Sequence, residues 1–271
     1  MTHTTTVSLV LGSGGARGLA HIGVVQWLVE HGYDIRSIAG TSMGALIGGI
    51  YATSRLEAYT EWVLALERIQ VLRLLDPTFG RAGLFKGERI MGVLRELIGD
   101  CAIEDLQMAY TAVATDLESG EEVWLHHGKL FDAIRASIAT PLVFTPFTHE
   151  GRTLLDGALV NPVPIAPTLN DDTDLTVAVN LSGPTELRPV LGGSTLALSP
   201  ALPARGLLDI AFVSMQTMQD AIARLRLAAY TPDVTVEIPR NACGFYEFWR
   251  AEEMIALGRE RAAQSFAKIG R

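Results

Sequence analysis

Twice between Val7 and Ser54 the chain passes from a short apolar run through a glycine-rich turn into a helical pattern. Val7–Leu11 is apolar and starts with a β-branched residue, as a buried strand does. Gly12-Ser13-Gly14-Gly15-Ala16-Arg17-Gly18 follows it. Leu19, Ile22, Val25 and Val29 then recur at helical spacing up to Glu30, and His31-Gly32 ends that helix. Ser37–Ala39 reads as a second strand, Gly40-Thr41-Ser42-Met43-Gly44 as a tight turn, and Ala45 to about Ser54 as a helix of small and apolar residues. An order of strand, helix, strand, turn, helix calls for a parallel sheet, and so for an α/β fold.

Helical periodicity returns over Glu57–Glu67 and Gly87–Ile98, while Asp76-Pro77 and Gly80 make Val71–Phe85 read as a loop. Tyr110–Thr115 and Glu121–Leu125 form a hairpin pattern around Ser119-Gly120. Leu130–Ala139 is helical and stops before Pro141. Thr153–Leu155, Leu175–Asn180 and Val234–Ile238 are strand candidates. Leu187–Arg205 is rich in Gly, Pro and Ser and reads as a mobile loop. Gly206–Ala229 reads as an amphipathic core helix with methionines suited to an adaptable wall, and Phe248–Ala267 as the last helix. No internal repeat or lasting composition shift divides the 271 residues, so a single domain over 1–271 is expected.

Composition narrows the partners. A formal charge of -8 argues against nucleic acid. Cys101 and Cys243 supply neither a disulfide framework nor a metal-binding spacing, and fit a reducing compartment. The first apolar run ends in a glycine loop, without the basic start and cleavage site of a secretory signal. No segment approaches ~18 uninterrupted apolar residues. A cytoplasmic protein is expected, with room for peripheral contact at the inner membrane surface.

The two glycine turns also carry chemistry. Gly40-Thr41-Ser42-Met43-Gly44 matches Gly-x-Ser-x-Gly, in which flanking glycines let a strained, exposed serine sit at a strand-to-helix elbow. A plain tight turn has the same pattern. In the first loop a dinucleotide fingerprint starting at Gly12 would need glycine at the position of Arg17, and no Gly-Lys-Ser/Thr of a phosphate-binding loop follows. Backbone N–H groups of Gly14 and Gly15 could instead form an oxyanion hole, or the loop could simply pack strand against helix. Asp156, in Leu154-Leu155-Asp156-Gly157-Ala158, ends an apolar strand, where desolvation would raise its pKa, although turn aspartates are the commoner case.

The six histidines decide what could activate Ser42. None follows His149, whereas a Ser, Asp/Glu, His order needs a late one. His126-His127 and His149 read as exposed loop residues, His149 within the turn His149-Glu150-Gly151, and His21 as a packing or surface residue. A triad through an earlier acid stays open. Otherwise a carboxylate takes the serine proton, and Asp156 is the candidate.

Together, Gly-Gly-Ala-Arg-Gly at 14–18, Gly-Thr-Ser-Met-Gly at 40–44 and Asp-Gly-Ala at 156–158 resemble the patatin-like phospholipases, over roughly residues 7–182. Residues 81–89 and 133–141 resemble the bacterial branch related to neuropathy target esterase. The resemblance implies a three-layer α/β/α fold with a central, mostly parallel sheet. It implies Ser42 as nucleophile, Asp156 as base, backbone donors from Gly14 and Gly15, Arg17 as loop support, and Gly40 and Gly44 as elbow glycines. It implies no metal and no organic cofactor, and a phospholipid or lysophospholipid substrate cleaved through an acyl-enzyme. Ala158 stands where many members have Gly. An acyltransferase or thioesterase using the same serine, or a non-catalytic regulatory module, would share the pattern. Residues 68–95 interleave Arg68, Arg73, Arg81, Lys86, Arg89 and Arg95 with Leu72, Leu74, Leu75, Phe79, Leu84 and Phe85. That stretch suits either a cap meeting anionic headgroups or a packing segment with solvated arginines.

Overall fold

The computed structural model describes residues 4–78, 83–186 and 206–270. The Gly/Pro/Ser-rich stretch 187–205, His3, and Phe79 and Arg81 of the basic stretch lie outside the described residues. The strands are β1 (Thr6–Leu11), β2 (Asp34–Thr41), β3 (Ala109–Asp116), β4 (Glu122–Leu125), β5 (Phe147–His149), β6 (Arg152–Asp156), β7 (Leu175–Gly183) and β8 (Val234–Pro239). The helices are α1 (Ala20–Glu30), α2 (Met43–Ala52), α3 (Leu56–Leu64), α4 (Arg68–Leu74), α5 (Glu88–Ile98), α6 (Leu130–Ser137), α7 (Leu207–Tyr230) and α8 (Ala251–Lys268).

The strands form one sheet in the order β5-β6-β3-β2-β1-β7-β8, with β4 also pairing with β3. The central pairs β3/β2, β2/β1, β1/β7 and β7/β8 are parallel, and β4, β5 and β6 join antiparallel. β1 shows how the sheet divides the molecule. Val7, Leu9 and Leu11 enter the large core with α1, α2 and α8, while Val10 points to the other face, against Val163, Ile165, Ala178 and Ala223 of α7. This period-2 split makes a three-layer α/β/α arrangement, mostly parallel at its centre. α1 and α8 pack backbone to backbone: a Cβ on Gly23 would stand 1.9 Å from the Ile255 carbonyl oxygen, and one on Gly258 2.0 Å from that of Ala20. No helix among the described residues is long and apolar enough to cross a membrane.

Several expectations need correcting. The stretch from Val71 is not all loop, because Arg68–Leu74 is α4, started by a capping box between Glu67 and Gln70. His149 is the last residue of β5 and not a turn residue; the turn is Glu150-Gly151, both at positive φ. On α1, Val29 is half exposed whereas Val24 and Leu28 are buried, since α8 and the sheet enclose most of the helix circumference. His21 is fully buried. α7 is not a core helix. Only Met215 and Ala223 are buried, and Leu207 is 82% exposed, because the sheet covers one narrow stripe of it.

Candidate active site

β2 delivers Ser42 to the C-terminal end of the central strands, and α2 starts at the next residue. Ser42 has φ 57° and ψ -121°, a strained conformation for a residue with a side chain. Neighbouring bonds hold it there. Its N–H donates to Ser137 Oγ at 2.9 Å, and Ser137 Oγ donates to the Val113 carbonyl at 2.6 Å. Thr41 Oγ1 donates to the Asn161 carbonyl at 2.9 Å. The flanking glycines are required sterically. A Cβ on Gly40 would lie 2.5 Å from Ala45 N, and one on Gly44 1.9 Å from the Leu11 carbonyl oxygen.

β6 brings Asp156 from the antiparallel side, paired with Ala114 of β3. Gly157 lets it approach, because a Cβ there would be 2.2 Å from the Val113 carbonyl oxygen. Ser42 Oγ donates to Asp156 Oδ2 at 2.8 Å. Thr140 Oγ1 donates to the same oxygen at 2.6 Å, and Ala158 N–H to Oδ1 at 2.9 Å. Ser42 and Asp156 are both buried. Burial raises the Asp156 pKa, and the bonds from Thr140, Ala158 and Ser42 oppose that rise without cancelling it.

Among the described residues no histidine hydrogen-bonds to either side chain. His21 Nε2 bonds the Gly12 carbonyl and His31 Nδ1 the Trp27 carbonyl. His126 and His127 are exposed beyond β4, and His149 stacks on Phe147. The same residues contain no cluster of three or more His, Cys, Asp or Glu side chains able to hold a metal ion.

The first glycine loop lies against the same serine. Ser13 N–H is taken by the Pro162 carbonyl and Ala16 N–H by the Phe245 carbonyl. The N–H groups of Gly14 and Gly15 between them have no acceptor among the described residues. Gly15 sits at φ 57°, and a Cβ there would strike the Phe245 ring at 2.5 Å. Arg17 is buried and anchors the loop, with Nε donating to the Leu181 carbonyl at 3.0 Å and Nη1 to that of Cys243 at 3.5 Å. His21 anchors its start. Burial lowers the His21 pKa to about 4, so the ring is neutral when folded. Between the unfolded value of about 6.5 and that folded value the unfolded chain binds the extra proton. Stability is therefore expected to fall as pH drops through this window, by up to about 3 kcal/mol. Chemical denaturation of wild type and His21→Gln at pH 7.5 and 4.5 checks this, and an equal acid sensitivity of the two would refute it.

Ser42 and Gly15 also line an apolar cavity of about 130 Å³. Its walls come from α2 (Leu46), α3 (Val63), α4 (Leu74), α5 (Met91, Leu94) and Phe245. A strained serine bonded to a buried carboxylate, beside free backbone donors and an apolar cavity, has the parts for acyl transfer to a hydroxyl.

A family model described as patatin-like phospholipase matches residues 9–169. An uncharacterized NTE family protein of Mycobacterium tuberculosis is 38% identical over an alignment covering 96% of this chain and 91% of that protein. The chain belongs to the patatin-like phospholipase family. Human patatin-like phospholipase domain-containing protein 6 is 32% identical over 67% of this chain but only 14% of its own length. The solved structure of VipD from Legionella pneumophila aligns with TM-score 0.47 and 12% identity, over 98% of this chain and 67% of that one. The patatin-like match contains the glycine loop, the elbow and Asp156, and ends before α7 and α8.

The residues singled out in the sequence lie around one point: Ser42 and Gly15 line the apolar cavity, Ser42, Asp156, Gly14 and Arg17 line a smaller one beside it, and Gly40 and Gly44 allow the close backbone approach. Two site residues had no assigned part, Thr140 and Ser137. Both fall in the 133–141 stretch that carried the likeness to the neuropathy target esterase branch, and a polar residue just before Pro141 at a helix end was the available signal. Of the basic stretch, Arg89 binds the Arg73 and Leu75 carbonyls, Arg95 pairs with Asp132 and Asp100, and Arg68 lies over Trp249. These three each make contacts within the protein.

Proposed function

We propose that the chain is a serine lipid acyl hydrolase that cleaves phospholipid or lysophospholipid esters through an acyl-enzyme on Ser42. The observation that carries this reading is the buried 2.8 Å bond from Ser42 Oγ to Asp156 Oδ2 at the mouth of an apolar cavity. The acyl chain lies in that cavity. Ser42 Oγ attacks the ester carbonyl carbon as its proton passes to Asp156 Oδ2. The Gly14 and Gly15 N–H groups bind the oxyanion. Asp156 then returns the proton to the departing alkoxide oxygen, leaving alcohol and acyl-Ser42. Water attacks the acyl carbon, gives one proton to Asp156, and the fatty acid leaves as Ser42 Oγ takes that proton back.

Labelling with a fluorophosphonate, followed by mapping of the modified peptide, tests the nucleophile. The label should fall on Ser42; a protein that stays unlabelled is a non-catalytic module of this fold. The raised pKa of Asp156 gives a second test. kcat/KM should rise with pH through an acid limb above the ordinary carboxylate value of about 4, since the base must be ionised. Thr140→Val removes a donor that favours the ionised form, so the limb should move to higher pH, and Thr140→Ser should restore it. An unmoved limb would take Thr140 out of the proton path.

Peripheral contact with the inner membrane surface also belongs to this reading. Ile69 and Leu72 are more than half exposed on α4, whose Leu74 lines the cavity. Ile69→Glu with Leu72→Glu should weaken co-sedimentation with anionic vesicles, and equal co-sedimentation would remove membrane contact from the proposal.

A further inference from the structure

The stripe of α7 that faces the sheet changes chemistry where it passes Ser42. Toward the C-terminus it is apolar: Ala223 and Leu227 pack against Val10, Val163 and Ile165. Four residues before Gln216, Phe212 meets Phe245 edge-on and stacks on Tyr246. Between these apolar ends the stripe carries Gln216, Gln219 and Asp220, spaced as neighbours on one helix face. A helix stripe turned toward its own protein is ordinarily apolar. These three side chains line a small second cavity, and Ser42, Asp156 and Gly14 line it too. Ser13, Ser182, Arg17 and Phe245 line it as well. Neither amide has a hydrogen-bond partner among the described residues, while Asp220 stands 3.7 Å from Arg240. Ser42 thus lines both an apolar cavity and a second one of mixed lining, about 20 Å³, room for a group the size of one water or hydroxyl.

An ester of a fatty acid has the same two-sided chemistry, so the polar side would receive the alcohol that leaves. Two uncommitted amides offer donors and acceptors together, which suits neutral hydroxyl groups. Arg17 also lines this cavity, but its guanidinium is committed to the Leu181 and Cys243 carbonyls, and against that one cation the Asp220 and Asp156 carboxylates disfavour an anion held directly against them. We propose that Gln216 and Gln219 form a leaving-group subsite that binds a free hydroxyl vicinal to the scissile ester oxygen, on the carbon adjoining the one that bears it, as in glycerol esters with one acyl chain. Two lipids share this chemistry, a monoacylglycerol and a single-chain glycerophospholipid. The inference rests on the hydrolase reading given above.

The test compares kcat/KM for three esters of one fatty acid: 1-monoacylglycerol, the 1-acyl lysophosphatidylcholine and the ethyl ester, which lacks the hydroxyl. In Gln216→Leu/Gln219→Leu, the ratio of each glycerol ester to the ethyl ester should fall at least tenfold. Should the leucine pair not fold, Gln216→Ala and Gln219→Ala, which only shorten the side chains, read the same ratios. A fall for only one glycerol ester identifies the source of the hydroxyl. Ratios unchanged within twofold, in a protein that fluorophosphonate labels at Ser42, overturn the subsite and leave the hydrolase reading standing. Wild type that neither labels nor turns over any of the three overturns both.

Discussion

Ser42→Ala is expected to lower kcat toward any ester substrate by about 10⁶-fold, and Asp156→Asn by about 10⁴-fold. In the proposed mechanism the serine carries the acyl chain covalently. Among the described residues Asp156 is the only side chain bonded to its hydroxyl, and no histidine bonds to either of them. An asparagine would keep the shape but could not accept the proton. The serine change should leave the fold intact, because the Asp156 carboxylate keeps its bonds from Thr140 and Ala158. Steady-state hydrolysis of a p-nitrophenyl ester, with thermal melts of each variant, reads both effects. If either folded variant keeps a rate within tenfold of wild type, the dyad is wrong.

Gly44→Ala should be among the most damaging single methyl additions in the described residues, costing about 3 kcal/mol or more. The added Cβ would meet the Leu11 carbonyl oxygen at 1.9 Å and that of Gly12 at 2.9 Å. Leu11 cannot retreat, since it is paired with Gly40 on one side and Val179 on the other. Either α2 tilts, taking Ser42 away from Asp156, or β1 leaves the ladder. Gly92→Ala is the matched control. Gly92 lies within α5 with nothing within 4 Å of its added Cβ, so that change should stabilise by about 0.5–1 kcal/mol. Urea denaturation of the two variants would show opposite shifts. A Gly44→Ala loss below about 1 kcal/mol would mean the elbow has slack that this geometry denies it.

Local pattern carried much of the fold. The strands β1 and β2 and the β3–β4 hairpin are short runs whose apolar residues and bounding glycines announce them. The elements that pattern missed are those whose stability is not local. β5 has three residues, too few for a period-2 signal, and exists because β6 pairs with it. α4 buries no residue; its capping box was readable as Glu67-x-x-Gln70, but the following Asp76-Pro77 drew the whole stretch into a loop. α7 has clear helical spacing, and the error there concerned its surroundings. Periodicity tells which residues share a face, not whether another layer covers that face.

The sequence by itself determined the chemical inventory: a glycine loop, a Gly-x-Ser-x-Gly turn, an aspartate closing an apolar strand, and no histidine after His149. Those are properties of residue type and short spacing, and a single chain displays them. Only the tertiary structure decided that Ser42 meets Asp156 across 114 residues, that Thr140 shares the same carboxylate oxygen, and that an apolar cavity and a smaller one of mixed lining share the serine. Those depend on β2, β3 and β6 being neighbours in one sheet and on where α4 and α7 come to rest. Such placement follows from how whole layers pack, because contacts distant in the chain form only when many elements bury their apolar faces together.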